Sequence, residues 1–205
     1  MTFLSPVSIH QAMTMASAGA VGATRDEMWR TLHVDTLADP HAAQNALDLG
    51  LRSMADAPLP DGATGSPLSF NLANSMWGDE AMTWKQPFLD TLAQNYGAGL
   101  QVIDFQADPE AARENINTWV AEQTRDRIQD LLPGGLIDDL TRMIMVNAVF
   151  FKGSWATPFE VANTANEAFH RAPGDDVQVA MMHGGGEMLA YEGDGFVAAS
   201  LPYAG

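Results

Sequence analysis

The chain has 205 residues, enough for one sizeable domain and short for two. A hydrophobic fraction of 46% with 18% charged residues describes an ordinary globular protein and excludes a disordered or fibrous one. The net charge of -16, with Lys85 and Lys152 as the only lysines, disfavours nucleic acid and acidic membranes as partners, and the absence of cysteine excludes disulfides, thiol chemistry and cysteine-based zinc sites.

Residues 1–23 are rich in Ala, Met and Ser. They carry no Lys or Arg, and His10 and Gln11 interrupt them, so the stretch does not read as a secretory leader. No apolar run approaches the ~18 residues of a membrane span. Ser5-Pro6 opens a first helix, Ser5 as cap and Pro6 at the first helical position, with Ile9, Met13 and Ala16 continuing a packed face. Thr24 is placed to cap a second helix bearing Met28, Trp29 and Leu32, with Asp26 and Glu27 suited to its first turn. His33, Asp35, Asp39 and His41 are metal-ligating types without regular ligand spacing, and Asp39-Pro40 reads better as the start of an amphipathic helix over 42–54. Residues 55–67 hold three prolines and two glycines and form the most loop-like stretch; no domain boundary is placed there.

A strand is predicted over 69–77, a helix over 84–96 ended by Gly97, and a short strand over 100–105. Asp108-Pro109-Glu110 opens the clearest helix, with Ile116, Trp119 and Val120 at helical spacing. The run from Met143 to Phe151 is apolar without alternation, which suits a strand covered on both faces. Asn147 interrupts it. Leaving that amide unpaired in a buried strand costs roughly 1–3 kcal/mol, so it needs partners from elsewhere in the fold. Lys152-Gly153 ends the run, and Trp155, Pro158 and Phe159 carry the chain away with two aromatic anchors. Short strands follow over 177–183, 188–192 and 196–202.

Several of these segments, in order, resemble the serpins, the serine protease inhibitor family. The opening matches Phe-x-Ser-Pro-x-Ser-aliphatic at Phe3 to Ile9, and the strand at 69–77 is similar to Leu-x-x-Ala-Asn-x-aliphatic-aromatic. Ile116-Asn117-Thr118-Trp119-Val120 matches the family's Ile-Asn-x-Trp-Val helix, and Asn147 to Trp155 its Asn-Ala-aliphatic-aromatic-Phe-Lys-Gly-x-Trp signature. Met181-Met182-His183 and Leu201 to Gly205 extend the resemblance to the last residues. One departure stands out: the family continues its helix with Thr-x-Gly-Lys-Ile, whereas this chain has Thr124-Arg125-Asp126-Arg127-Ile128. Loss of that glycine predicts an altered helix exit.

The resemblance implies an α+β serpin fold, with helices packed around three mostly antiparallel sheets. It implies that residues 1–205 are a partial serpin domain lacking the first helix and the C-terminal reactive-loop portion. Ser5, Ser8 and Asn147 are expected to meet beneath the main sheet in the hydrogen-bonded cluster called the shutter, with Trp155 at the breach where loop insertion begins. The implied function is inhibition of a serine or cysteine protease: its cleavage of the reactive loop lets that loop insert into the main sheet, and the protease is trapped. The alternative is a non-inhibitory scaffold or binding module. No cofactor, metal, nucleic acid or membrane partner is expected. An extracellular location follows from resemblance alone, and the open sheet edge is a route to self-association.

An enzyme is not expected. His183-Gly184-Gly185-Gly186 looks like the oxyanion loop of lipases, but the chain contains no Gly-x-Ser-x-Gly nucleophile elbow. Phosphate-loop, dinucleotide and His-Glu-x-x-His motifs are also missing, and no pair of carboxylates can be assigned to acid-base work from spacing.

Overall fold

A computed structural model describes residues 5–55, 58, 59, 61, 65–97, 99–184 and 188–204. Phe3 and Leu4 of the opening motif, part of the proline-rich stretch, Gly185, Gly186 and Gly205 lie outside the described residues. The chain forms two compact units, one from residues 1–54 and 70–151, the other from 55–69 and 152–205.

In the first unit, side-chain caps and prolines set the starts of several helices. Helix α1 (Pro6–Ser17) begins after Ser5, whose oxygen accepts from the Ser8 amide at 3.3 Å. Helix α2 (Gly22–Thr31) corrects the sequence expectation. It starts ahead of Thr24 after Val21, without a side-chain cap and with no acid in its first turn. Gly22, at φ 58°, makes the bend that no capping side chain signals. Helix α3 (Pro40–Ala55) opens where Asp39 Oδ1 accepts from the amides of His41 and Ala42, both at 3.0 Å. Strand β1 (Ser69–Asp79), helix α4 (Gln86–Tyr96), strand β2 (Leu100–Ile103), helix α5 (Pro109–Gln123) and strand β3 (Met143–Lys152) follow. Gly97 ends α4 at φ 71°, and the Asp108 carboxylate caps α5 by accepting from Ala111 N–H at 3.0 Å.

The three strands form one sheet in the order β2-β1-β3. Strand β1 runs parallel to β2, from Met76 opposite Leu100 to Asp79 opposite Ile103. Asp79 N–H at the end of β1 donates to Arg142 O just before β3 at 2.9 Å, while Phe70 near the start of β1 meets Phe151 near the end of β3. Those two strands therefore run antiparallel. Helix α5 covers one face, where Ala73, Trp77, Ile116, Val120, Val146 and Ala148 share a buried core. The other face takes α1 and α4 through Met15, Met76 and Leu92, with Met145 against them.

Burial along β3 alternates, although its sequence does not. Val146, Ala148 and Phe150 are buried on the α5 side, Met145, Asn147 and Val149 are half-buried, and Met143 and Phe151 are exposed. The expectation of a strand fully covered on both faces is corrected to this extent, because among the described residues β3 is one of the two outer strands of its sheet.

The exit of α5 departs from expectation as well. The amide of Asp126 donates to Ala121 O at 2.8 Å and that of Arg125 to Glu122 O at 3.4 Å, the paired bonds of a Schellman exit. The exit survives without glycine, with Arg125 at φ 51° and Asp126 at φ 59°.

In the second unit, a short 3-10 turn (Val161–Asn163) precedes β4 (Ala165–Ala172), which forms an antiparallel hairpin with β5 (Asp175–Met181). Strands β6 (Leu189–Gly193) and β7 (Phe196–Ser200) form another. Strand β4 was not predicted: Ala165 to Ala172 contains no β-branched residue, and its pairing with β5 defines it. Among the described residues no helix is long and apolar enough to cross a membrane.

Candidate functional site

Asn147 sits in the middle of β3 and, with Met145, belongs to the face that looks toward α1. Its Nδ2 donates two hydrogen bonds, to Ser8 Oγ on α1 and to Asn74 Oδ1 on β1. The same amide nitrogen thus ties the two antiparallel strands to each other and to the helix beneath. Asn74 extends the network: its Nδ2 donates to Gln11 Oε1 at 3.0 Å and lies 3.5 Å from Ser8 O, and Ser8 Oγ is 3.5 Å from Asn74 Oδ1. Ser8 is fully buried and Gln11 nearly so, which makes these bonds matter: in a buried site an unpaired group costs the whole of its desolvation.

Ser8 and Asn147 are therefore brought together directly. Ser5 takes a different position, one turn earlier, where its hydroxyl caps α1 and reaches the cluster through the Ser8 backbone amide. Asn74 and Gln11 were not singled out from the sequence. A signal for Asn74 existed, since it is a second amide in a second largely buried strand and its polar demand mirrors that of Asn147.

A buried carboxylate at the end of β1 also escaped the sequence reading. Asp79 is fully buried; its Oδ1 accepts from Ala81 N–H at 3.0 Å and Gln106 Nε2 at 2.9 Å, and its Oδ2 from Phe105 N–H at 3.3 Å. Burial pushes its pKa up, but the bonds from Gln106, Ala81 and Phe105 and the Arg142 charge outweigh this and hold the pKa below its ordinary value. The group fixes the β1 end and the turn into α5. It is not poised for proton transfer.

Trp155 belongs to the second unit. It is half-buried, stacked on Tyr203 with ring centroids 4.7 Å apart and planes 12° from parallel, and edge-on to Phe159 at 6.0 Å. An isolated antiparallel bridge links Trp155 and Tyr203, with Ala204 N–H donating to Ser154 O at 2.8 Å. His183, the head of the glycine-rich loop, is exposed and pairs with Glu167 Oε1 at 2.9 Å. His41 is engaged with the Tyr96 hydroxyl at 2.8 Å, and burial pushes its imidazole pKa down against the opposing pull of Asp39.

Residues 2–205 match the family model described as Serpin (serine protease inhibitor). The chain is 38% identical over 203 residues to an uncharacterized serpin-like protein of Thermococcus kodakarensis, covering 99% of this chain and 45% of that protein. It is 35% identical over 181 residues to the leukocyte elastase inhibitor of Equus caballus, covering 88% and 45% of the two chains. Among solved structures, the native stressed conformation of an Arabidopsis serpin aligns with a TM-score of 0.84 at 27% identity, over 97% of this chain and 49% of that one. Uncleaved ovalbumin aligns with a TM-score of 0.81 at 26% identity, over 97% and 55%. The chain belongs to the serpin family and has the α+β serpin fold in part. It spans about half the length of the relatives it matches.

Proposed function

We propose that the polypeptide carrying this sequence is a protease inhibitor that works as a suicide substrate. A target serine or cysteine protease attacks a reactive loop and forms its acyl bond. The cleaved loop then enters the sheet as a new strand alongside β3, and the acylated protease is carried with it before water can release it. In this reading, residues 1–205 supply the N-terminal and central part of one serpin domain, and the reactive loop belongs to the portion of its relatives that this chain does not match.

The observation that carries the reading is the double donation from Asn147 to Ser8 and Asn74. It locks β1, β3 and α1 at the middle of a sheet in which β3 is one of the two outer strands. A sheet that must stay shut until cleavage and then accept a strand needs such a polar lock, with bonds that can be remade. Trp155, stacked on Tyr203, would mark where insertion begins.

The test is to incubate the full-length polypeptide with chymotrypsin, elastase, subtilisin and papain and to run the products in denaturing detergent. A covalent 1:1 complex with at least one protease is expected. Cleavage by all of them with no such complex overturns the inhibitor reading and leaves a non-inhibitory scaffold.

A further inference from the structure

On the α1 face of the sheet, within the first unit, lies a cavity of about 490 Å³. That volume falls in the range of small-molecule sites. Its walls are apolar and come from four directions: Met28 of α2, Met76 of β1, Met143 of β3 and Phe88 of α4. The end of α1 and the turn that follows it make the room by presenting only small residues, Ala16, Gly19 and Ala20; a Cβ added at Gly19 would lie 3.5 Å from the Phe88 ring.

The aromatic wall is held in place. Trp84 stacks on Phe88 at 6.0 Å, and its Nε1 donates to Asp79 O at 3.2 Å. Its ring lies so close over Gly78 that any Cβ there would come within 2.3 Å of it. This rigid side faces methionines, whose flexible, polarizable side chains adapt to an irregular hydrocarbon.

The polar part of the wall is small and of one sign. Thr83 and Lys85 supply it, and among the described residues the lining contains no carboxylate, in a chain with 26 acidic against 10 basic residues. Lys85 is also the residue that precedes α4, whose first turn has no side-chain cap, so the positive end of the helix dipole lies beside the lysine. An apolar cavity with one cationic rim in an otherwise acidic protein selects an amphiphile with one negative end.

We propose that this cavity binds a medium-chain aliphatic carboxylate, with its hydrocarbon among Met28, Met76 and Met143 and its carboxylate paired with Lys85. The test is isothermal titration calorimetry of the full-length polypeptide with decanoate and with decan-1-ol. Decanoate is expected to bind at one site, more tightly than the alcohol. Lys85→Gln should weaken decanoate about tenfold and leave the alcohol unchanged, as expected for loss of one charge-assisted contact. Gly19→Leu should fill the space and remove binding of both ligands while the unliganded protein still melts cooperatively; if it does not fold, Ala20→Leu applies the same test. No decanoate binding, equal affinity for acid and alcohol, or binding that survives the folded cavity-filling variant overturns the proposal.

Discussion

In the unit built from residues 1–54 and 70–151, Phe105, Ile116 and Val120 are completely buried and helices pack on both faces of the β2-β1-β3 sheet. In the unit of residues 55–69 and 152–205, every residue of β4 and β7 is exposed, and Ala55 and Ala204 are the only buried apolar side chains among the described residues. Both units pair their strands, β4 and β5 with a register shift between His170 and Ala172. The difference lies in what covers the strands. A net ~0.5–1.5 kcal/mol per hydrogen bond does not offset the ~1–2 kcal/mol of backbone entropy lost per ordered residue, so a bare two-stranded hairpin is marginal. A covered sheet adds about 25 cal/mol for each Å² of apolar surface removed from water.

The sharpest way to break that comparison is to truncate an apolar side chain in each unit. Ile116→Ala empties a fully buried position and should cost ~2–5 kcal/mol in urea unfolding. Phe169→Ala in β4, where the ring is 51% exposed, should change stability by no more than ~0.5 kcal/mol. Comparable losses at the two positions would mean that the hairpins have a second layer after all. Native-state hydrogen exchange gives an independent reading: the amides of β1 and β3 should exchange far more slowly than those of β4 to β7.

Next in size is the polar cluster. Asn147→Leu removes both donations and leaves the Ser8 hydroxyl and the Asn74 carbonyl with only the long 3.5 Å bond between them in place of Asn147, for a net loss of roughly 1–3 kcal/mol. Adding Ser8→Ala should recover part of it, because one unpaired group is then gone. A single variant that melts no lower than the parent would show that the cluster contributes nothing to stability.

Asp79 extends the contrast to pH. Its folded-state pKa is held below the ordinary 3.8, so on acidification the unfolded chain takes up the proton first. The stabilisation it provides is complete above that ordinary value and is lost as pH falls through the lower folded-state value. Asp79→Asn should therefore flatten the fall of the urea midpoint below about pH 4, where wild-type stability declines. Asp175→Asn, which breaks the exposed pair with Arg171, should change stability at neutral pH by less than ~0.5 kcal/mol.

The helix starts at Ser5, Asp39 and Asp108 were legible in the sequence because cap and proline are neighbours, so the information is local. The need of Asn147 for partners was legible too, since an amide in an apolar run states its own demand. Its partner Asn74, 73 residues away, was not, because spacing along the chain says nothing about which strands become adjacent. Strand β4 was hidden for another reason: an exposed hairpin strand needs no apolar alternation, so it leaves none to read. At α2 the expected cap, Thr24, yielded to a positive-φ glycine two residues earlier.

Left-handed backbone gives the last and smallest test. In the exposed hairpins glycine takes these positions, Gly174 at φ 78° and Gly195 at φ 79°. At the α5 exit Arg125 and Asp126 take them, a conformation that costs an L-residue roughly 1–2 kcal/mol, less for Asp. The buried unit tolerates the strain because its surroundings fix the exit: Thr124 is buried with its hydroxyl donating to Val120 O at 2.8 Å, and the Arg125 guanidinium lies 5.3 Å over the Phe150 ring. The side chain of Asp126 is exposed, and its amide bond to Ala121 O would survive in glycine. Asp126→Gly should therefore raise stability by about 0.5 kcal/mol, the relief of strain less the extra freedom of glycine in the unfolded chain. Arg125→Gly gains similar relief but loses the contact with Phe150, so it should unfold at or below the parent's urea midpoint. If Asp126→Gly unfolds earlier than the parent, the exit is not strained.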